Sequence, residues 1–268
     1  MNRPPAFAGS FYPRHPVELR RLIGRLTDPD LPKVKALAAV APHAGYVYSG
    51  AVAGAVYSSV EIPGTCLILA PAHRPIRPRF AVMAEGFWET PLGAVPVENE
   101  LAVALQDRCP LVEDDPSAHA EEHSLEVQIP FLQTFRPDVA IVPVNVSYRV
   151  TPDDLEALGK AAAEAIRTTG KDVLLVASTD MSHYVSASEA RRKDFPALDR
   201  IRALDPRGLL EIVRKEDVSM CGVLPTAAVL FAAKALEAEK AELVRYAHSG
   251  EVTGDDREVV AYAGLVIT

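Results

Sequence analysis

The sequence predicts an α/β fold, with a mostly parallel central sheet covered by helices on both faces. Three observations carry that expectation. Apolar runs of strand length alternate with helical patterns from end to end. Most of those runs are apolar at consecutive positions, as strands buried on both faces require. No internal repeat, low-complexity tract or flexible linker interrupts the 268 residues, so 1–268 reads as one domain.

Taken in order, strands are expected at 36–41, 66–70, 80–84, 139–146, 173–177, 243–247 and 259–267. The last two flank a polar, glycine-containing link at 249–258 and are expected to pair antiparallel at one side of the sheet. Pro91-Leu92-Gly93 is a turn signal, and 87–97 reads as a β-hairpin-like insertion beside the main sheet. The small residues at 50–55 read as a closely packed helix, and 121–126 opens another that is expected to run to Phe135. Thr151-Pro152-Asp153-Asp154 joins an N-cap, a first-turn proline and an acid at capping-box spacing. Gly170 closes that helix, and Asp205-Pro206 starts the next by the same logic. The charged stretch 185–204, with Glu189, Arg191, Arg192, Lys193 and Asp194, reads as a solvated helix face. The apolar segment 223–230 after Cys221-Gly222 reads as a buried helix.

Hydrophobic content of 49% implies a packed core, and the net charge of −8 has its Lys and Arg scattered. Nucleic-acid and anionic-membrane partners are therefore not expected, since both demand a basic face. No uncharged apolar run approaches the roughly 18 residues of a membrane span. Met1-Asn2-Arg3-Pro4-Pro5 lacks the apolar core of a signal peptide, and the three cysteines form no C-x-x-C pair. The expected location is the cytoplasm. Cys66, inside an apolar run, and Cys109, at a helix end, read as inert.

Four polar segments each follow a strand-like run: Pro42-His43-Ala44-Gly45-Tyr46, Pro71-Ala72-His73-Arg74, Ser178-Thr179-Asp180-Met181-Ser182-His183 and Ala247-His248-Ser249-Gly250. Loops at the carboxyl ends of parallel strands share one edge of an open sheet, so these side chains are expected to converge. His43 and His73 repeat one arrangement, a proline at the strand end followed by an imidazole. Asp180 and His183 stand at i, i+3, where the carboxylate can orient the ring and raise its basicity. Cys221 precedes a helix, where a thiolate, the metal-binding form, is favoured. Together these donors point to a transition-metal site. His123 has three carboxylates nearby, which favour imidazolium in a surface capping residue. His248 follows a late strand as an outer residue of the site. His15 and His119 look unremarkable. Phosphate-loop, dinucleotide, nucleophile-elbow and H-E-x-x-H motifs are missing.

At these residues the chain resembles the Memo family. The likeness runs from Ala8-Gly9-Ser10-Phe11-Tyr12-Pro13 through Pro42-His43-Ala44-Gly45-Tyr46, Ala70-Pro71-Ala72-His73 and Glu122-His123-Ser124-Leu125-Glu126. It continues through Ser178-Thr179-Asp180-Met181-Ser182-His183 to Cys221-Gly222. It implies the fold of LigB-type class III extradiol dioxygenases, with His43, His73 and Cys221 as metal ligands. It also implies an acid/base role for His183 beside Asp180, an active-site place for His123, and Tyr46 and His248 in the surrounding shell. The implied ion is a divalent transition metal, iron(II) first, with copper or zinc as alternatives. A cysteine replaces the carboxylate of the dioxygenases, and thiolate is softer and itself oxidisable, so ring opening does not follow from fold.

Three functions compete. The first is a metal-dependent redox protein acting on a small molecule. The second is a non-catalytic cleft for a peptide, since eukaryotic Memo proteins are linked to motility signalling. The third is true extradiol ring cleavage, with metal-assisted hydrolysis a weaker rival. Prokaryotic relatives are also associated with radical SAM and AMMECR-type proteins, which implies a shared pathway.

Overall fold

A computed structural model describes residues 2–268. The first half of the chain supplies β1 (Asn2–Arg3), α1 (Pro16–Leu26), β2 (Ala38–Ala41), α2 (Tyr46–Ser59), β3 (Thr65–Pro71), β4 (Phe80–Val82), β5 (Phe87–Thr90) and β6 (Gly93–Pro96). Next come α3 (Asn99–Arg108), β7 (Val112–Asp114), α4 (His123–Glu126), α5 (Ile129–Phe135), β8 (Ala140–Val146), α6 (Pro152–Thr169) and β9 (Val173–Ser178). The last part adds β10 (His183–Val185), α7 (Ala187–Arg202), α8 (Pro206–Lys215), α9 (Val223–Ala235), β11 (Ala241–His248), α10 (Gly250–Thr253) and β12 (Val259–Ile267).

The apolar runs form a sheet in the order β10-β12-β2-β9-β3-β8-β4-β7, with β11 added on β12. Its centre, β2-β9-β3-β8, is parallel. Antiparallel neighbours flank it, β12 beside β2 and β4 beside β8, so the sheet is mixed. As expected, β11 and β12 pair antiparallel. The 87–97 segment forms the β5–β6 hairpin, which joins β1 in a separate three-stranded sheet.

Alternate residues of the central strands feed two cores, as the two-residue period of a strand demands. Ala39, Ala41, Ile68, Leu174 and Val176 pack with Leu19, Ile23, Val56, Tyr57 and Phe131 of α1, α2 and α5. Ala38, Val40, Leu67, Leu69, Leu175 and Ala177 face Leu101, Leu155, Leu158 and Ala228 of α3, α6 and α9. Helices therefore cover both faces, and the strand ends are left to carry chemistry.

Local signals act as their residues dictate. Thr151 and Asp154 close a reciprocal capping box on α6, and Gly170 ends it at φ 64°. The single helix expected from 121 to 135 is two, α4 and α5. Pro130 accounts for the break, because it lacks an N–H and its ring crowds the carbonyl four residues back. The corner frees the side chain of Gln128 to reach across to Pro42 and Ser178.

The reading of 185–204 as a wholly solvated face is corrected at Asp194, which is fully buried. Its carboxylate accepts from the Ser182 N–H and hydroxyl and from the Tyr246 hydroxyl. A charge so placed tolerates burial through its donors, and it ties α7 to the 180–183 segment.

Gly159 marks a close contact between α6 and α9: a Cβ there would lie 2.5 Å from Phe231 Cβ and 2.7 Å from Ala228 O. Gly159→Val is expected to separate α6 from α9 and to cost about 1–3 kcal/mol or more. Urea denaturation of the variant against the parent chain measures this.

Candidate metal centre

Strands β2, β3 and β9 run parallel, and each delivers a polar residue just past its carboxyl end. His43 follows β2, His73 follows β3, and Asp180 follows β9. The His43 and His73 rings lie 5.2 Å apart at 88°, and His123, the first residue of α4, stacks on His73 at 4.5 Å. One ligand atom from each of His43, His73 and His123 lies within 4.8 Å of the others, so these three could hold a metal ion.

His43 and His73 are each held through Nδ1, the arrangement that leaves Nε2 for an ion. His43 Nδ1 sits 2.9 Å from Ser178 Oγ. Glu122 grips His73 twice: Oε2 accepts from its backbone N–H at 2.7 Å and Oε1 meets Nδ1 at 2.9 Å. The same carboxylate caps α4 through Ser124 N and lies 3.4 Å from His123 Nδ1. Burial alone would raise Glu122, but the His73 bonds and charge outweigh it and hold the acid down at about 2. Burial opposes protonation of His73 as well, and Glu122 reverses the balance, leaving that imidazole raised. His43, wholly buried beside two other rings, is pushed well below its ordinary value by burial first.

His123 corrects its sequence reading. It is no surface imidazolium: burial lowers it to about 4 despite Glu122, and Phe11 and Phe7 cover it at 4.5 and 5.5 Å between rings. Cys221 reaches the group through His43, with Sγ 3.2 Å from His43 Nε2, and it accepts from Asp180 N. The thiolate shift expected at a helix start is reversed, because burial and the Asp180 charge push this thiol up. Gly222 makes the approach possible: a Cβ there would lie 2.4 Å from Ser178 O and from Thr179 Cβ.

Asp180 does not orient His183. Its Oδ1 accepts from the His43 N–H at 2.8 Å, so it shapes the His43 turn, and burial raises it to about 6. His183 Nδ1 instead lies 2.9 Å from the Ser219 carbonyl, which can only accept. Tyr46 is buried and donates its hydroxyl to Val127 O, bracing the α4–α5 corner. His248 Nδ1 lies 3.7 Å from Asp256 Oδ1, against the turn after β11.

The sequence reading missed the supports. Glu122 and Glu126 were visible only as charges near His123, and their four-residue spacing was the one available hint. Glu126 is fully buried and pairs with Arg3 at 2.6 Å. It also accepts from Ala6 N, Phe7 N and the Tyr12 hydroxyl. Arg3 donates to His119 O and Glu122 O and lies 4.1 Å over Trp88. These bonds strap the N-terminal segment against α4. His119, read as unremarkable, is buried, and burial with the Arg3 charge lowers it to about 3.

The Memo-like protein family model matches residues 3–266. A MEMO1 family protein of Methanopyrus kandleri is 42% identical over 280 residues, covering 99% of both chains. One of Aquifex aeolicus is 40% identical over 270 residues, covering 98% of both. A crystal structure of an uncharacterized protein from Escherichia coli K12 matches with a TM-score of 0.56 at 17% identity, covering 85% of this chain and 99% of that one. That likeness speaks for the fold alone.

Two outcomes are expected. Below its ordinary 6.5 the unfolded chain protonates at His119 while the native ring refuses the proton down to about 3. Stability is therefore lost as pH falls through that window, by a few kcal/mol at most. Denaturant titrations across it should show a shallower loss for His119→Gln. Gly222→Ala should push Cys221 off the Asp180 turn and cost about 1–3 kcal/mol, with a weakened cobalt titration.

Proposed function

The chain belongs to the Memo family, and from that premise we propose a metal-dependent redox protein whose ion sits at His43, His73 and Cys221. The supporting observation is the donor set. Two imidazoles have Nδ1 committed to Ser178 and Glu122, and a thiol lies 3.2 Å from the free nitrogen of one of them. Mixed nitrogen and sulfur donors suit iron, copper or zinc, and iron(II) is the proposed occupant. His123 completes an all-imidazole set at the same place, so it stands within reach of whatever binds there.

A bound iron would supply a centre able to exchange single electrons with a substrate or with oxygen. The chain's own residues do the rest. Glu122 keeps its charge while buried and so offsets the positive charge of an ion beside His73. Phe7 and Phe11 exclude water from one side of His123. His183, with Nδ1–H held by Ser219 O, keeps Nε2 for taking or giving a proton at the rim. Asp180, raised by burial, adds a second group, a carboxyl, able to hold a proton beside His43. The substrate is proposed to be a small molecule, and the partners radical SAM and AMMECR-type proteins of a shared pathway.

Metal analysis of protein purified without oxygen tests this. Near-stoichiometric iron is expected in the parent chain, with several-fold less in His43→Ala and Cys221→Ala. Undiminished metal in both variants overturns the proposal. A catechol panel with ferrous iron separates redox chemistry from ring cleavage, since yellow fission products would favour the latter.

A further inference from the structure

His43 is wholly buried, and which ring nitrogen carries its proton decides which one is free to bind an ion. The neighbouring hydrogen bonds determine the answer. Tyr57, buried on the inner side of α2, donates its hydroxyl to Gln128 Oε1 at 2.8 Å. That bond turns the amide so that Nε2 donates to the Pro42 carbonyl at 2.9 Å and to Ser178 Oγ at 2.8 Å. The Pro42 oxygen can only accept, which excludes the flipped amide. Ser178 then donates its single proton to the Ser124 carbonyl at 2.7 Å. A hydroxyl has one proton and two lone pairs. With the proton spent on Ser124 and one lone pair taken by Gln128, the remaining lone pair faces His43 Nδ1 at 2.9 Å.

We propose that Tyr57, Gln128 and Ser178 form a positioning relay that locks His43 as the Nδ1–H tautomer and so keeps Nε2 free as a ligand. The inference rests on the metal reading only for the use made of Nε2. Reversing the tautomer has a definite cost: Ser178 would have to turn its proton toward His43, and the buried Ser124 carbonyl would lose that donor. A buried acceptor left without a donor is a substantial penalty. All four side chains are buried, so bulk water does not rescue the alternative. At the other end of the ring, Nε2 meets Cys221 Sγ at 3.2 Å, a contact in which the thiol donates to the imidazole lone pair. The relay also joins the α4–α5 corner to the end of β9, which explains why a glutamine sits at the break between two short helices.

The test is long-range proton–nitrogen NMR of histidine-labelled protein without metal, with the His43 signals assigned through His43→Gln. The parent chain should show a protonated Nδ1 and an unprotonated Nε2 at His43. Ser178→Ala should shift His43 toward the other tautomer and weaken zinc affinity about ten- to a hundredfold. An Nε2–H form in the parent chain overturns the proposal, and so does an unchanged tautomer in Ser178→Ala. If the expected tautomer is present but the parent chain binds neither iron nor zinc, the relay stands and the metal function fails.

Discussion

A buried carboxylate that must stay ionised organises this centre. Glu122 is 3% exposed, and a charge in that position survives only if donors surround it. Its donors are the His73 backbone and ring, with the Ser124 N–H. Satisfying Glu122 therefore fixes where His73 points and places His123 in a stack upon it. The order of a catalytic or binding edge here follows from electrostatic necessity at one acid.

The second buried acid repeats the logic one helical turn later. Glu126 gathers Arg3, two backbone N–H groups and Tyr12, and so binds residues 3–12 to the same short helix. Those residues in turn hold Phe7 and Phe11 against His123. One turn of α4 thus separates the acid that orients the imidazoles from the acid that anchors the segment that shields them. The break between α4 and α5 adds a third task, because the Gln128 side chain there reaches Pro42 and Ser178.

Much of this was legible in the sequence, and what was legible has a physical reason. Consecutive apolar residues announced buried strands, and a proline followed by histidine at two strand ends announced a shared edge. The parallel centre then brought His43, His73 and Asp180 together as strand direction requires. Cys221 was marked by its place before an apolar helix. The illegible part is polar burial. Asp194, His119, Glu122 and Glu126 read as ordinary surface charges, because nothing local distinguishes a buried acid from a solvated one. Their partners lie far away in the chain, as Arg3 does from Glu126. The same blindness produced the wrong protonation states for His123 and Cys221, where burial outweighed the nearby carboxylates and the helix start.

The strap has a consequence for the order of events during synthesis. Arg3 and Glu126 are 123 positions apart, and His43 and Cys221 are 178 apart. Arg3 thus waits for a partner made much later, and the thiol arrives after β2, β3, β8 and β9 have been translated. Contacts between such distant positions form slowly, since closing large loops costs entropy before any contact repays it. The centre consequently stays incomplete until Cys221 has been made, so a shorter nascent chain lacks the thiol that meets His43 in the folded protein.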